Sequence, residues 1–245
     1  MLISMSSVYD TAFFLKHQAS ARSSADVVVP HLVDLVRPAC VLDLGCGLGT
    51  WLAAFRARGV AEVCGVDGEY VQRELLEIPS VHFVAADLTR PLDLGRRFDL
   101  ALSLEVAEHL DEGAAPVLVD SLIRHAPVVA FSAAVPGQGG EHHVNCRWPD
   151  YWAELFRARG YEVVDCLRPV IWGRTDVDWW YQQNLLLFVE RRHLAATPRL
   201  AEAHRLHPAP RLLARVHPCL LEEVLAWGME QARARWSVPP PDAAK

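Results

Sequence analysis

At 245 residues, 51% of them apolar, the chain has material for one large α/β domain with an appendage. Its formal net charge of -6 offers no basic footprint for nucleic acid. No apolar run approaches the roughly 18 residues of a membrane span. Residues 1–10 lack a basic segment followed by an uninterrupted apolar one, so no secretory signal is visible and the expected compartment is the cytoplasm. The 6 cysteines contain no C-x-x-C pair and no zinc spacing. Cys40, Cys46 and Cys64 fall on expected strands and turns and read as small buried residues in a reducing compartment.

In chain order, residues 9–19 read as a short helix with Phe13, Phe14 and Leu15 on its apolar side. Ser23 or Ser24 then caps a second helix reaching about Val36, with Pro30 as an irregularity and Arg37-Pro38 as its end. These helices are expected to pack on the sheet as a lid or flank. Val41, Leu42 and Leu44 form a buried strand, and Gly45, Gly47 and Gly49 the turn after it. A helix follows from Trp51 and is closed by Gly59. Glycines at such a turn let a ligand approach the backbone, and the helix N-terminus beyond offers N–H groups to an anionic group.

From there strands alternate with helices. Strands are expected at 60–66, 81–85, 98–104, 128–133, 161–167 and 185–190. Helices are expected at 70–76, in the acidic stretch after 104, at 114–125, and at 148–159 before Gly160. The alternation implies right-handed crossovers and a mostly parallel sheet. Residues 193–245 read as helical, punctuated by Pro198, Pro208, Pro210 and Pro218, with an amphipathic helix at 220–236 and a disordered Pro-Pro-Pro end. This tail reads as packing or as the surface of a homodimer. The expected division is therefore a flank at 1–37, a core at 38–192 and an extension at 193–245.

Residues 40–51, Cys-Val-Leu-Asp-Leu-Gly-Cys-Gly-Leu-Gly-Thr-Trp, organise the rest. The dinucleotide fingerprint wants G-x-G-x-x-G, but Thr50 stands at its sixth position and the third glycine comes one residue early. The pattern D-x-G-C-G-x-G-T instead resembles motif I of the class I S-adenosylmethionine-dependent methyltransferases. That resemblance implies a Rossmann-like seven-stranded sheet flanked by helices, in the order 3-2-1-4-5-7-6 with strand seven antiparallel. It implies S-adenosyl-L-methionine as cofactor, its methionine part against Gly45, Cys46, Gly47 and Gly49 and its ammonium end held by Asp43. Asp67, beside Gly68 at the end of the second strand, can accept both ribose hydroxyls. In the family the position of Asp87 receives the adenine amino group, and the backbone of Leu88 contacts the ring.

The segment Ser103-Leu-Glu-Val-Ala-Glu-His-Leu110 resembles an EVxEH element common in that family. It sets Glu105 beside the expected sulfonium, with Glu108 and His109 on the same face if the segment is helical. The later S-A-A-x-P-G-Q-G-G…H-V-N…W-P-x-Y-W stretch is similar to a group of bacterial methyltransferases of poorly defined substrate, a likeness that covers residues 9–190. Gly137, Gly139 and Gly140 make this loop flexible, and Trp148 and Trp152 anchor the helix after it. Gln138, His142, His143 and Asn145 are the candidate acceptor-binding residues. An alcohol acceptor benefits from a base; His143 is the first choice and His109 the second, against the alternative of solvated or packed histidines.

Glu105, Glu108, His109 and His143 also resemble, in type and order, the metal-binding set of small-RNA terminal 2′-O-methyltransferases, where a divalent ion binds two sugar hydroxyls. The acidic charge conflicts with an RNA substrate, and the reading without metal is preferred. Trp172, Trp179, Trp180 and Tyr181 either stack on a sugar or, the preferred reading, form the underside of a long loop. The expectation is an O-methyltransferase for a small molecule, a sugar or secondary metabolite, with no nucleic acid or membrane partner. N- or C-methylation and metal-assisted sugar O-methylation stand as alternatives. A nicotinamide oxidoreductase and a non-catalytic cofactor-binding module are remoter ones.

Overall fold

The computed structural model describes residues 11–209 and 212–236. Strands β1 (Cys40–Leu44), β2 (Glu62–Asp67), β3 (Phe83–Ala85), β4 (Leu100–Leu104), β5 (Val128–Ser132), β6 (Tyr161–Val164) and β7 (Leu186–Glu190) form one sheet in the order β3-β2-β1-β4-β5-β7-β6. β1 to β5 pair in parallel, while β7 runs antiparallel to both β5 and β6, as the resemblance implied. Every residue of β4 and β5 is buried, because parallel central strands are covered on both faces.

The period of two along each strand divides the core into two layers. Leu100, Leu102 and Leu104 face the layer containing Leu32, Leu52 and Phe55, from the helices Thr11–Val36 and Thr50–Ala57. Ala101, Val129 and Phe131 face the layer containing Leu118, Trp152 and Phe156, from the helices Ala115–His125 and Pro149–Arg157. There Phe156 stacks on Phe188 with ring centroids 4.0 Å apart. With β1, β2, β4 and β5 all parallel, their carboxyl ends share one edge, and the loops after them converge there.

Several expectations are corrected. One helix, Thr11–Val36, replaces the two expected, and Pro30 lies inside it. Ser24 caps nothing; its hydroxyl donates to Asp178 at 3.1 Å and accepts the Asp178 N–H at 3.0 Å. The acidic stretch after β4 is no α-helix but two 3-10 turns, Ala107–His109 and Glu112–Ala114. The Glu108 carbonyl accepts the N–H groups of Val144 and Asn145 in place of a continuing helix. A 3-10 turn, Arg73–Leu75, stands in for the helix expected at 70–76. Trp152 is buried but Trp148 is exposed, so only one of the pair anchors its helix. All six cysteines are free, and only Cys46 and Cys166 are buried.

The early part of the tail is not detached from the core. Leu200, in the helix Pro198–Leu206, is buried among the residues of the first layer. Arg168 donates to the Leu213 carbonyl at 2.8 Å. The helix Pro218–Trp236 exposes Leu221, Leu225, Trp227 and Met229. Among the described residues no helix is long and apolar enough to cross a membrane. The expectations for Tyr9, Asp10, Pro210, the Pro-Pro-Pro end and the side chains of Phe13, Phe14 and Leu15 lie outside the described residues.

Candidate active site

The turn after β1 holds Gly45, Gly47 and Gly49 at φ 87, 52 and 80. At Gly45 a Cβ would also come within 2.3 Å of Val106, so the loop after β4 closes against bare backbone. Gly47 donates its N–H to Asp67 Oδ2 at 2.7 Å. Asp67 Oδ1 accepts the Gly68 N–H at 2.7 Å and the Tyr70 hydroxyl at 2.6 Å. Burial pushes the Asp67 carboxyl up in pKa, and those three hydrogen bonds pull it back down. Asp43, buried on β1, is pushed up to about 7 by burial and by the charge of Asp67.

A cavity of about 590 Å³ opens at this edge of the sheet. Residues 45–48, Thr50 and Trp51 form one side, with Gln18, Ser20 and Ala21 of the first helix above. The opposite side comes from the turn after β4, residues 138–141, His143, residues 178–181, and Glu223 of the last helix.

Glu105, just past β4, takes a left-handed φ of 54, uncommon for a residue with a Cβ. Its N–H donates to the Ser132 carbonyl at 3.0 Å, fixing it to the end of β5. Its carboxylate accepts from Gln138 Nε2 at 2.8 Å and Asn184 Nδ2 at 3.2 Å. Asn184 also donates to Gln138 Oε1 at 3.0 Å, so two separate, mutually bonded segments brace one carboxylate. Burial raises the Glu105 pKa, and hydrogen bonds from Ser132, Gln138 and Asn184 lower it.

Glu108 is fully buried, and among the described residues neither carboxylate oxygen meets a hydrogen-bond donor. Burial and the neighbouring Glu105 charge push its pKa well up. The clamp of its carbonyl on Val144 and Asn145 delivers His143 beside His109, with ring centroids 4.9 Å apart. His109 Nδ1 lies 3.4 Å from the His142 carbonyl, and His143 Nδ1 lies 3.3 Å from that of Gln138. Those carbonyls assign Nδ1–H tautomers, which makes Nε2 of His143 an acceptor. Gly140 lies under that ring; a Cβ there would come within 2.1 Å of Nε2. Burial lowers the His143 pKa, and burial with the neighbouring His143 takes His109 to about 4, so both rings are neutral near pH 7. One ligand atom each from Glu108, His109 and His143 lies within 4.8 Å of the others.

The fold is an α/β domain with a cavity at the carboxyl edge of its sheet, and two comparisons narrow the class. Residues 16–133 match a family described as "Methyltransferase domain". A malonyl-[acyl-carrier protein] O-methyltransferase of Pseudescherichia vulneris is 35% identical over 130 residues, 52% of this chain and 51% of that one. Over residues 16–133 the chain is therefore similar to a methyltransferase domain, and its sheet has the order implied for the class I S-adenosylmethionine-dependent methyltransferases.

The chain spans about half the length of the curated relative it matches. Solved structures share its fold. The sugar N-methyltransferase KedS8 from Streptoalloteichus sp. ATCC 53650 aligns with a TM-score of 0.57 at 18% identity, covering 78% of this chain and 99% of that one. CalS10, an amino pentose methyltransferase from Micromonospora echinaspora, aligns at 0.54 and 17%, covering 78% and 100%. The acidic lining, without lysine or arginine among the described residues, suits a sulfonium cation.

Of the residues expected at the methyltransferase site, Gly45, Cys46, Gly47, Glu105, Glu108, Gln138, His109 and His143 line the cavity. Asp43, Gly49, Asp67, Gly68 and Leu88 do not, and neither does Asp87, which accepts the Thr89 N–H at 2.9 Å and hydroxyl at 2.6 Å. His142 is exposed, and buried Asn145 accepts from Arg147 at 3.0 Å; neither lines the cavity. Glu105 stands outside the close Glu108–His109–His143 group, because Gln138 and Asn184 hold its carboxylate. Trp179, Trp180 and Tyr181 line the cavity, while Tyr181 also lies in the first core layer and Trp180 packs against it, as the preferred reading of an underside expects. Sequence reasoning missed Asn184, Trp51 and Glu223. Only Asn184 carried a signal, as the last of three buried amides, Gln182, Gln183 and Asn184, ahead of an apolar strand.

Proposed function

We propose that the domain methylates a hydroxyl group of a small molecule, a sugar or secondary metabolite, with His143 as the base. The observation that carries this reading is a neutral imidazole on the cavity wall whose Nδ1 is held by the Gln138 carbonyl. S-adenosylmethionine, when bound, supplies an electrophilic methyl group and a thioether leaving group. Asp43, Glu105 and residues 45–47 would hold its methionine and sulfonium end. Asp67 would hold the ribose, with Asp87 and the Leu88 backbone at the adenine. The parallel register supports that series, since Asp67 pairs with Ala85 and Leu44 with Val66, which sets the acids at neighbouring strand tips.

The wall of the cavity aligns the acceptor oxygen, and in-line placement at roughly 3–3.5 Å supplies much of the rate gain. As the O–CH₃ bond forms, the hydroxyl proton passes to Nε2 of His143. The Gln138 carbonyl accepts from Nδ1–H and stabilises the resulting imidazolium. The curated relative is named for O-methylation, and the two sugar enzymes sharing the fold for sugar and amino-pentose substrates. The test is transfer of a labelled methyl group to a hydroxylated acceptor panel, with S-adenosylhomocysteine binding measured in parallel. Cofactor binding without transfer by any acceptor would favour a binding module.

One observation favours a second reading. A buried carboxylate with two partnerless oxygens beside two imidazoles is a donor set suited to a transition-metal dication such as Mn²⁺, more than to Mg²⁺. Glu108, His109 and His143 would then be ligands, and the ion would lower the acceptor hydroxyl's pKa. Activity that survives exhaustive chelation excludes this reading.

A further inference from the structure

The cavity is one-sided in charge. Among the described residues lining it are Glu105, Glu108, Glu141, Asp178 and Glu223, and no lysine or arginine. Glu105 is held by Gln138 and Asn184, and Asp178 accepts the Ser24 hydroxyl. Glu108 differs. It is fully buried, lines the cavity beside Glu105, and among the described residues neither of its carboxylate oxygens meets a hydrogen-bond donor. A buried acid in that state is costly and is relieved by an incoming donor, most of all by a cation.

The spacing says more. The ligand atoms of Glu108, His109 and His143 lie within 4.8 Å of one another. A single small fragment therefore meets the acid and the base together. In a vicinal amino alcohol the nitrogen and oxygen sit on adjacent carbons, close enough for the ammonium to reach Glu108 while the hydroxyl reaches Nε2 of His143. The aromatic rings of Trp179 and Trp180 on the same cavity wall favour a cationic ligand as well.

Resting on the reading of the site as a hydroxyl methyltransferase, we propose that the acceptor is a vicinal amino alcohol, such as an amino sugar, seated through its ammonium group on Glu108. The same geometry disfavours a free carboxylate near the reacting centre, since such a group would face the acids with no lysine or arginine among the described lining residues to meet it.

The test is calorimetric binding to chelator-treated protein saturated with S-adenosylhomocysteine. The probes are vicinal amino alcohols, 2-amino sugars included, each set against its N-acetylated and its diol counterpart. The amine is expected to bind at least tenfold more tightly than either counterpart, and Glu108→Gln is expected to abolish the preference while S-adenosylhomocysteine still binds. Equal binding of the N-acetylated or diol forms, or no binding by any amine, overturns the proposal, as does a diol that matches the amine once Mn²⁺ is restored. The comparison on the unaltered protein stands even if the Glu108 variant fails to fold. Failure to bind S-adenosylhomocysteine would instead count against the methyltransferase reading itself.

Discussion

Tyr70 donates its phenolic hydrogen to Asp67 Oδ1 at 2.6 Å, on the oxygen that already accepts the Gly68 N–H. Asp67 Oδ2 accepts the Gly47 N–H. A carboxylate has about four lone-pair sites, so about one remains, and a ribose diol brings two donors. Tyr70 therefore competes with one ribose hydroxyl. Tyr70→Phe is expected to tighten S-adenosylhomocysteine binding roughly fivefold, the worth of one hydrogen bond of about 1 kcal/mol, whereas Asp67→Ala should weaken it severely. Calorimetry on both variants decides; unchanged affinity in Asp67→Ala removes the ribose role.

Asp43 makes stability depend on pH in an unusual direction. Its carboxyl moves from 3.8 to about 7 on folding, through burial first and the Asp67 charge second. Between those values the folded chain keeps a proton that the unfolded chain has lost, so stability falls as pH rises through that window. The loss is on the order of 4 kcal/mol at most. Asp43→Asn should therefore match the parent in urea unfolding at about pH 4 and exceed it at about pH 8, while binding S-adenosylhomocysteine less well. A variant no more stable than the parent at the higher pH contradicts the assignment.

His143 and His142 are adjacent but not equivalent. His143→Ala is expected to cut kcat by roughly 10²–10⁴-fold, the range for a general base, with S-adenosylhomocysteine affinity unchanged. Because burial lowers its pKa, His143 is already neutral at pH 7. The rate should hold as pH falls toward the ordinary histidine value of about 6.5 and drop only below it. His142 has φ 57 and contributes its carbonyl, so His142→Gly is the neutral control. A drop in kcat of similar size in that control would show that the loop, not the imidazole, is at issue.

Arg168 ties the start of the tail to the sheet. Fully buried, it donates to Asp165 at 2.8 and 2.7 Å and to the carbonyls of Gln183 and Leu213 at 3.0 and 2.8 Å. Arg168→Ala leaves the Asp165 carboxylate buried with only Arg215, at 3.1 Å, as a charged partner. A loss of about 3–5 kcal/mol in urea unfolding is expected, together with faster tryptic cleavage at Arg215. An unaltered unfolding midpoint would show that the latch is dispensable.

The sequence made the sheet legible because its cues are local. Apolar runs for β4 and β5, a glycine corner after β1 and Gly160 after a helix each act within a few residues. Where local cues failed, a distant partner had taken the group. Ser24 reads as a cap, but Asp178, 154 residues away, holds its hydroxyl. The acidic stretch reads as a helix, but the Glu108 carbonyl is turned to the loop at Val144.

Residue types at the strand tips, the turn that carries them and the order of the elements were thus set by the sequence alone, since strand period and corner chemistry are short-range. Only the tertiary structure decided which of those side chains meet. It set Asn184 on Glu105 across 79 positions, left Glu108 buried and unmatched, and separated His143 from its exposed neighbour. Such meetings depend on how two core layers hold loops from opposite ends of the chain against one sheet edge, and no stretch of sequence encodes that by itself.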